Sequence, residues 1–173
     1  YMIKILGVFI VMAAGISFGF SRAAKEQKKL EQGIALKRML YLLQGEIRYG
    51  FTPLPEAIAV IAGKTAEEFR PFLNQTAKQL QSYAESSFST VWKKAIEDHL
   101  QPIMIEPKFL DILLAMGETI GYLDKEMQEK TISFASEQIE DVIYQMKVQV
   151  IRNCRMFRSR GLSFSALIVI ILV

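Results

Sequence analysis

The stretch of sequence that decides the fold is residues 116–128, which read MGETIGYLDKEMQ. Two glycines stand four positions apart in it, and a leucine and an aspartate follow the second one closely. We expect Gly117 to allow a close approach of two helices and Gly121 to form a tight turn that is open to positive φ. Leu123 is then predicted to lie in the core and Asp124 to cap the next helix. The stretch therefore predicts a helix, a turn and a second helix.

A second stretch, residues 43–57, has a related design and reads LQGEIRYGFTPLPEA. We expect Gly50 to end one long helix and Thr52 to cap the next one. Pro53 suits the start of that helix, because the N–H that proline lacks would have no partner there. Leu54 is predicted to be buried behind the turn.

The rest of the middle repeats its apolar side chains every three or four positions, which is the period of an amphipathic helix. No run alternates with period two for long enough to indicate a strand. Further helix starts are expected at Thr65, in a capping box with Glu68, and at Ser89 or Thr90. The fold class is therefore predicted to be all-α, a bundle of about six helices.

The two ends of the chain differ from the middle in composition. Residues 2–20 are almost wholly apolar, and their number is close to the ~20 residues that cross a ~30 Å hydrocarbon core. Residues 162–173 form a shorter apolar run, which at ~1.5 Å per residue spans about 18 Å. The predicted domains are a transmembrane helix at 1–21, the helical bundle at 22–160 and a short transmembrane helix at 161–173. A cleaved signal peptide is the alternative at the first end, and a buried core helix at the second.

Basic residues flank both apolar runs on the side of the bundle. They are Arg22, Lys25, Lys28 and Lys29 after the first run, and Arg152, Arg155, Arg158 and Arg160 before the second. Short cationic flanks stay on the cytoplasmic side of a membrane, so we expect a cytoplasmic bundle with both termini across the membrane. Residues 30–151 carry 12 basic and 17 acidic side chains, a net charge of about −5. Nucleic acid is therefore not an expected partner.

The sequence contains no recognisable catalytic or ligand-binding set. It has one histidine, His99, and one cysteine, Cys154, whereas a zinc site needs three or four ligands of such types. It has no glycine-rich motif that cradles phosphate. The acidic side chains that gather at 118–129 are expected to be solvated or to face a partner. We therefore predict that the protein is not an enzyme and has no cofactor, metal site or small-molecule substrate.

The two stretches, together with the opening residues MIKILG and the apolar tail, resemble the stage III sporulation protein AB family of endospore-forming bacteria. The resemblance covers essentially the whole chain, with a native start expected at Met2. That family is similar in turn to the cytoplasmic domain of the F-type platform proteins of type II secretion and type IV pilus machines. Those domains have a Gly-Glu-x-x-Gly-x-Leu turn, which residues 117–123 reproduce.

The resemblance implies a multi-pass protein in the mother-cell membrane that faces the forespore, as part of a sporulation channel complex. Its implied partners are the other membrane proteins of that complex, membrane lipid and a cytosolic secretion-type ATPase, for which it would be a platform or adaptor. Two alternatives stay open. One is a platform component of a pilus or type II secretion-like machine outside sporulation, and the other is a membrane-tethered regulator that binds a cytosolic protein.

Two sets of residues in these stretches have expected roles. The charged candidates for a partner interface are Arg48, Glu56, Glu118, Asp124 and Glu126. The candidates for structural turns are Gly50, Pro53, Leu54, Gly117, Gly121 and Leu123. The acidic charge of the middle would suit a basic surface on the partner.

Overall fold

The structure is a computed structural model that describes residues 2–50, 52–82 and 87–172, with side chains described only between residues 24 and 150. The α-helices in these ranges are α1 (Met2–Gly50), α2 (Leu54–Ala62), α3 (Arg70–Ser82), α4 (Phe88–Ala95), α5 (Pro107–Ile120) and α6 (Lys125–Leu172). A 3₁₀ turn at Glu67–Phe69 precedes α3, and a π-helical turn at Ile96–Leu100 continues α4. No strand occurs in the described ranges. The predicted all-α class and its six helices are confirmed.

Helices α1 and α6 pack side by side and run in opposite directions. Lys37 Nζ lies 2.8 Å from Glu140 Oε1, and Arg48 Nε lies 3.8 Å from Glu129 Oε2. Residue numbers thus rise along α1 as they fall along α6. It follows that the start of α1 and the end of α6 lie at one end of this helical hairpin, and that the Gly50 turn lies at the other.

The core is centred on Trp92, the only tryptophan of the chain, which is 1% exposed. Its ring meets Phe72 edge-on with the centroids 4.7 Å apart, and it stacks on Phe88 at 5.4 Å. The indole Nε1 donates a hydrogen bond to the main-chain oxygen of Leu113 at 2.8 Å. A buried indole needs such an acceptor, and this one ties α4 to α5.

Helices α1, α5 and α6 meet at Gly33. A Cβ atom there would lie 2.5 Å from Phe109 Cζ and 3.1 Å from Ile143 Cγ1, so no larger residue fits without a shift of these side chains. The glycine, which weakens a helix taken alone, is therefore explained by the packing of three helices at one point.

The predicted transmembrane runs lie outside the residues whose side chains are described. The main chain of α1 begins at Met2 and that of α6 ends at Leu172, so each helix continues from the bundle into one of the runs. Within the part of the chain whose side chains are described, no helix is both long and apolar enough to cross a bilayer. The two anchors and the domain boundaries at 21/22 and 160/161 stay predictions.

The helix caps differ from those expected. Helix α2 begins at Leu54 after Pro53, whose ψ of 148° is extended, so Thr52 stands one residue too early to cap it. Helix α4 is capped by Ser87, whose side-chain oxygen accepts a hydrogen bond from the Thr90 N–H at 3.3 Å. The predicted caps at Thr52, and at Ser89 or Thr90, are therefore wrong.

The predicted capping box at Thr65 is also wrong. The segment forms a 3₁₀ turn preceded by Ala66, not an α-helix preceded by Thr65. The Glu68 side chain instead accepts a hydrogen bond from Gln32 Nε2 at 3.2 Å, which joins it to α1. Thr65 Oγ1 is buried and has no hydrogen-bond partner in the described part of the chain.

Candidate functional site

Residues of both sequence stretches line one cleft of about 480 Å³ at the end of the bundle opposite to the two termini. They include Thr52, Pro53 and Leu54 from the first stretch and Gly121, Lys125 and Gln128 from the second. We call this region the distal end and define it as residues 47–50, 52–56 and 118–129. The fold thus joins two stretches that are separate in the sequence.

Hydrogen bonds between the end of α1 and the start of α6 hold the distal end together. Lys125 Nζ donates to the main-chain oxygen of Arg48 at 3.1 Å. Gln44 Nε2 donates to the main-chain oxygen of Glu129 at 3.4 Å. The last carbonyl groups of a helix have no partner within it, so the Lys125 ammonium satisfies one that α1 leaves open.

The two glycines of residues 116–128 make room for aromatic rings. A Cβ atom on Gly117 would collide with the ring of Trp92, as the expected close approach of two helices requires. A Cβ atom on Gly121 would collide with Phe88. The φ angle of Gly121 is −68°, an ordinary helical value, so the expected positive φ is wrong. Gly121 is needed for space and not for backbone freedom.

The other turn candidates take different environments. Leu54 is buried at 7% exposure, as predicted. Leu123 is half-buried and does not belong to the core or to the hydrophobic residues packed against it, so its prediction as a core residue is wrong. Pro53 is exposed and precedes α2. Gly50 ends α1, and a Cβ atom there would lie 2.7 Å from Thr52 Oγ1.

The charged interface candidates all lie at the distal end and are exposed. Asp124 Oδ1 accepts a hydrogen bond from the Met127 N–H at 2.8 Å and so caps α6. Glu126 Oε1 lies 2.7 Å from Lys130 Nζ, and this hydrogen bond raises the pKa of Lys130 above its ordinary value of 10.5. Each of these two carboxylates therefore already has a hydrogen-bond partner within the chain.

The remaining charged candidates are more available to a partner. Glu56 and Glu118 make no ion pair or side-chain hydrogen bond with any described residue. The Arg48 side chain is 58% exposed, although it lies near Glu129. The distal end therefore presents two unpaired acidic groups and one exposed guanidinium.

Sequence reasoning missed two tyrosines at the distal end. Tyr49 is 75% exposed and Tyr122 is 74% exposed, and the Arg48 guanidinium lies 5.4 Å from the centroid of the Tyr49 ring. Tyrosine and arginine are enriched in protein–protein interfaces. The available signal was their position, since each tyrosine adjoins a glycine of its turn, Gly50 or Gly121.

In the part of the chain with described side chains, no group of three or more His, Cys, Asp and Glu residues could hold a metal ion. His99 is half-buried and its Nε2 lies 2.5 Å from Gln75 Oε1, while Gln75 Nε2 donates to Asp98 at 2.8 Å. This network joins α3 to the π-helical turn, away from the distal end.

Comparison with known proteins gives one family. The family model described as Stage III sporulation protein AB matches residues 4–173. Stage III sporulation protein AB of Bacillus subtilis (strain 168) is 26% identical over 172 residues, which cover 99% of this chain and all of that protein. A solved structure of Stage III sporulation protein AB (SpoIIIAB) has a TM-score of 0.64 at 25% identity and covers 72% of this chain and 97% of its own. The chain belongs to the stage III sporulation protein AB family.

Proposed function

We propose that this chain is a non-enzymatic membrane platform of the sporulation channel complex between mother cell and forespore. Its distal end docks a cytosolic secretion-type ATPase, and its two terminal helices anchor it in the mother-cell membrane. Family membership supports the place in sporulation over a pilus or secretion machine elsewhere. The resemblance to F-type platform domains supports the ATPase as the partner.

The observation that carries the docking site is the position of both sequence stretches at the end opposite to the termini. Between Arg22, the first basic residue after the apolar run, and Gly50, helix α1 spans about 42 Å at ~1.5 Å per residue. A bundle anchored by both termini therefore holds its distal end about 40 Å from the bilayer, where a cytosolic protein reaches it without contact with lipid.

The chemistry of the distal end indicates the kind of surface that binds it. Glu56 and Glu118 are exposed acids without partners in the described residues, and Tyr49 and Tyr122 are exposed rings of the same distal end. Opposite charges guide two proteins into register, while aromatic anchors contribute much of the affinity. The docking face of the ATPase is therefore basic and has apolar pockets for the two rings.

The docking proposal is tested with the full-length chain in detergent and the purified ATPase. The wild-type pair is expected to bind, and the double variant Glu118→Lys with Glu126→Lys to bind at least tenfold more weakly. The double variant Tyr49→Ala with Tyr122→Ala tests the rings in the same way. Absence of binding by the wild-type chain would overturn the docking role.

The matched control is Glu97→Lys with Asp111→Lys. It makes the same change of charge at exposed positions outside the distal end, and binding is expected to stay within threefold of the wild type. If both charge variants weaken binding equally, the effect is one of net charge, and the assignment of the distal end is wrong.

Anchoring is tested separately from docking. Alkaline extraction of membranes is expected to leave the full chain in the pellet. A tag placed after Val173 should be digested by protease added to the outer side of the membrane, while the bundle stays protected. A protected tag would contradict the second anchor and leave the first one standing.

A further inference from the structure

The side of α1 that faces away from the core carries two large exposed apolar side chains. Ile34 is 49% exposed and Tyr41 is 72% exposed, and Arg38 lies between them. Gly45 continues this face, and nothing lies within 4 Å of a Cβ atom built on it. Glycine inside a helix destabilises it relative to alanine, and no described group of this chain uses the space that Gly45 leaves.

The side of α6 that faces away from the core has a matching composition. Phe134 is 62% exposed, Tyr144 is 68% exposed and Val148 is 36% exposed. Two exposed acids, Glu137 and Asp141, lie among them. Like Arg38 on α1, neither acid makes an ion pair within 4 Å in the described part of the chain.

The pairing of α1 with α6 shows which residues lie at the same level along the hairpin. Lys37 pairs with Glu140, and Arg48 with Glu129, so the residue numbers at one level add to 177. Arg38 is then level with residue 139. The main-chain positions of Glu137 and Asp141 lie about 3 Å above and below that level along the helix axis. In the same way Gly45 is level with residue 132, and the main-chain position of Phe134 lies about 3 Å from that level.

Two copies that are anchored in one membrane stand side by side in the same orientation, so residues at one level in one copy lie at the same level in the other. This step rests on the proposed anchoring. A two-fold axis parallel to the helices places α1 of each copy over α6 of the other, with all levels kept. Arg38 then faces the partner subunit's Glu137 and the partner subunit's Asp141. The ring of the partner subunit's Phe134 lies at the open space beside Gly45.

We propose that the outer faces of α1 and α6 form a self-complementary interface through which two copies of this chain assemble. The charges identify a second copy as the occupant, because the unpaired acids of one helix lie within about 3 Å of the level of the unpaired cation of the other. A two-fold interface uses every such contact twice. The four long helices pack together, and all four termini lie at one end.

The first test measures the dimer fraction of the full-length chain in lipid vesicles as the chain is diluted. Arg38→Glu is expected to raise the dimer dissociation constant at least tenfold. The triple variant Arg38→Glu, Glu137→Arg, Asp141→Arg reverses the charges on both helices. It is expected to bring the dimer dissociation constant back to within threefold of the wild-type value.

Three results would overturn the proposal. They are a wild-type chain that is monomeric at every concentration, an Arg38→Glu chain that dimerises normally, and a triple variant that does not recover. The buried ring of Trp92 serves as the control for folding, because its fluorescence emission is expected to be the same in all of these chains. The Arg38→Glu chain is also expected to bind the ATPase within threefold of the wild type, which separates this proposal from docking at the distal end.

The second test identifies the contact. In a Cys154→Ser background, a chain with Gly45→Cys is mixed in vesicles with a differently tagged chain carrying Phe134→Cys, and the mixture is oxidised. Mixed disulfide dimers are expected to exceed either homodimer at least tenfold. The control pairs Gly45→Cys with Lys78→Cys, an exposed position on α3, and should give no excess. Equal yields from the two mixtures would contradict the interface.

Discussion

Lys125 Nζ donates a hydrogen bond at 3.1 Å to the main-chain oxygen of Arg48, a residue 77 positions earlier in the chain. This bond joins the last turn of α1 to the first residue of α6. It also joins the two stretches that the sequence marks as specific. A cation near the C-terminal end of a helix is favoured by the partial negative charge of the exposed carbonyl groups, so the ammonium group of Lys125 stabilises the last turn of α1.

Replacement of Lys125 by methionine is expected to lower the free energy of unfolding by about 0.5–1.5 kcal/mol, because a hydrogen bond is lost while the apolar stem is kept. Hydrogen exchange of the amides next to Gly50 and Gly121 should become faster. The control Lys125→Arg keeps a donor and should change the free energy of unfolding by less. Equal losses in the two variants would show that this bond contributes little.

Replacement of Gly117 by alanine is expected to destabilise the protein by about 1–3 kcal/mol, because the added methyl group collides with the ring of Trp92 and a packed core relaxes only in part. Thermal unfolding followed by Trp92 fluorescence measures the change. The matched control is Gly45→Ala, at a concentration where the chain is monomeric. It adds the same methyl group in open space and should stabilise α1 by roughly 0.5–1 kcal/mol.

Replacement of Thr65 by valine is expected to stabilise the protein by about 1 kcal/mol, because it removes a buried hydroxyl group that has no partner in the described residues. Thr76 is the control, since it is also buried but its Oγ1 donates to the Phe72 carbonyl at 2.9 Å. Thr76→Val should therefore cost about 0.5–1.5 kcal/mol. Urea denaturation shows whether the free energy of unfolding rises or falls in each variant. A fall for Thr65→Val would mean that the Thr65 hydroxyl group forms a hydrogen bond.

Replacement of Ser87 by alanine is expected to lower the free energy of unfolding by about 0.5–2 kcal/mol, because the exposed N–H of Thr90 loses its cap. Thr52 is a suitable control, since it precedes a helix in the same way but does not cap it. Thr52→Ala should change the free energy of unfolding by no more than about 0.5 kcal/mol. Urea denaturation of both variants measures the difference, and a larger loss at Thr52 would contradict the cap assignment.

The sequence by itself determined the features that depend on near neighbours. The spacing of apolar side chains predicted the helices, since that period lies within a few turns of one helix. The cap at Asp124 was predictable for the same reason, because its acceptor and the Met127 N–H are three positions apart. The sequence also predicted that two helices approach closely at Gly117, but it did not predict that Trp92 is the neighbouring residue.

Only the tertiary structure decided which helix starts are capped and which residues meet. Thr52 and Thr65 satisfy the local pattern, but in the folded chain α2 begins at Leu54 and the 3₁₀ turn at Glu67, each one residue too late for these caps. The joining of Lys125 to Arg48 depends on how α1 and α6 pack along their whole length. The physical reason is the distance along the sequence over which the interactions act. A local pattern offers several possible caps, and packing against distant helices decides among them; likewise, the surface formed by the two turns exists only when α1 and α6 have packed together.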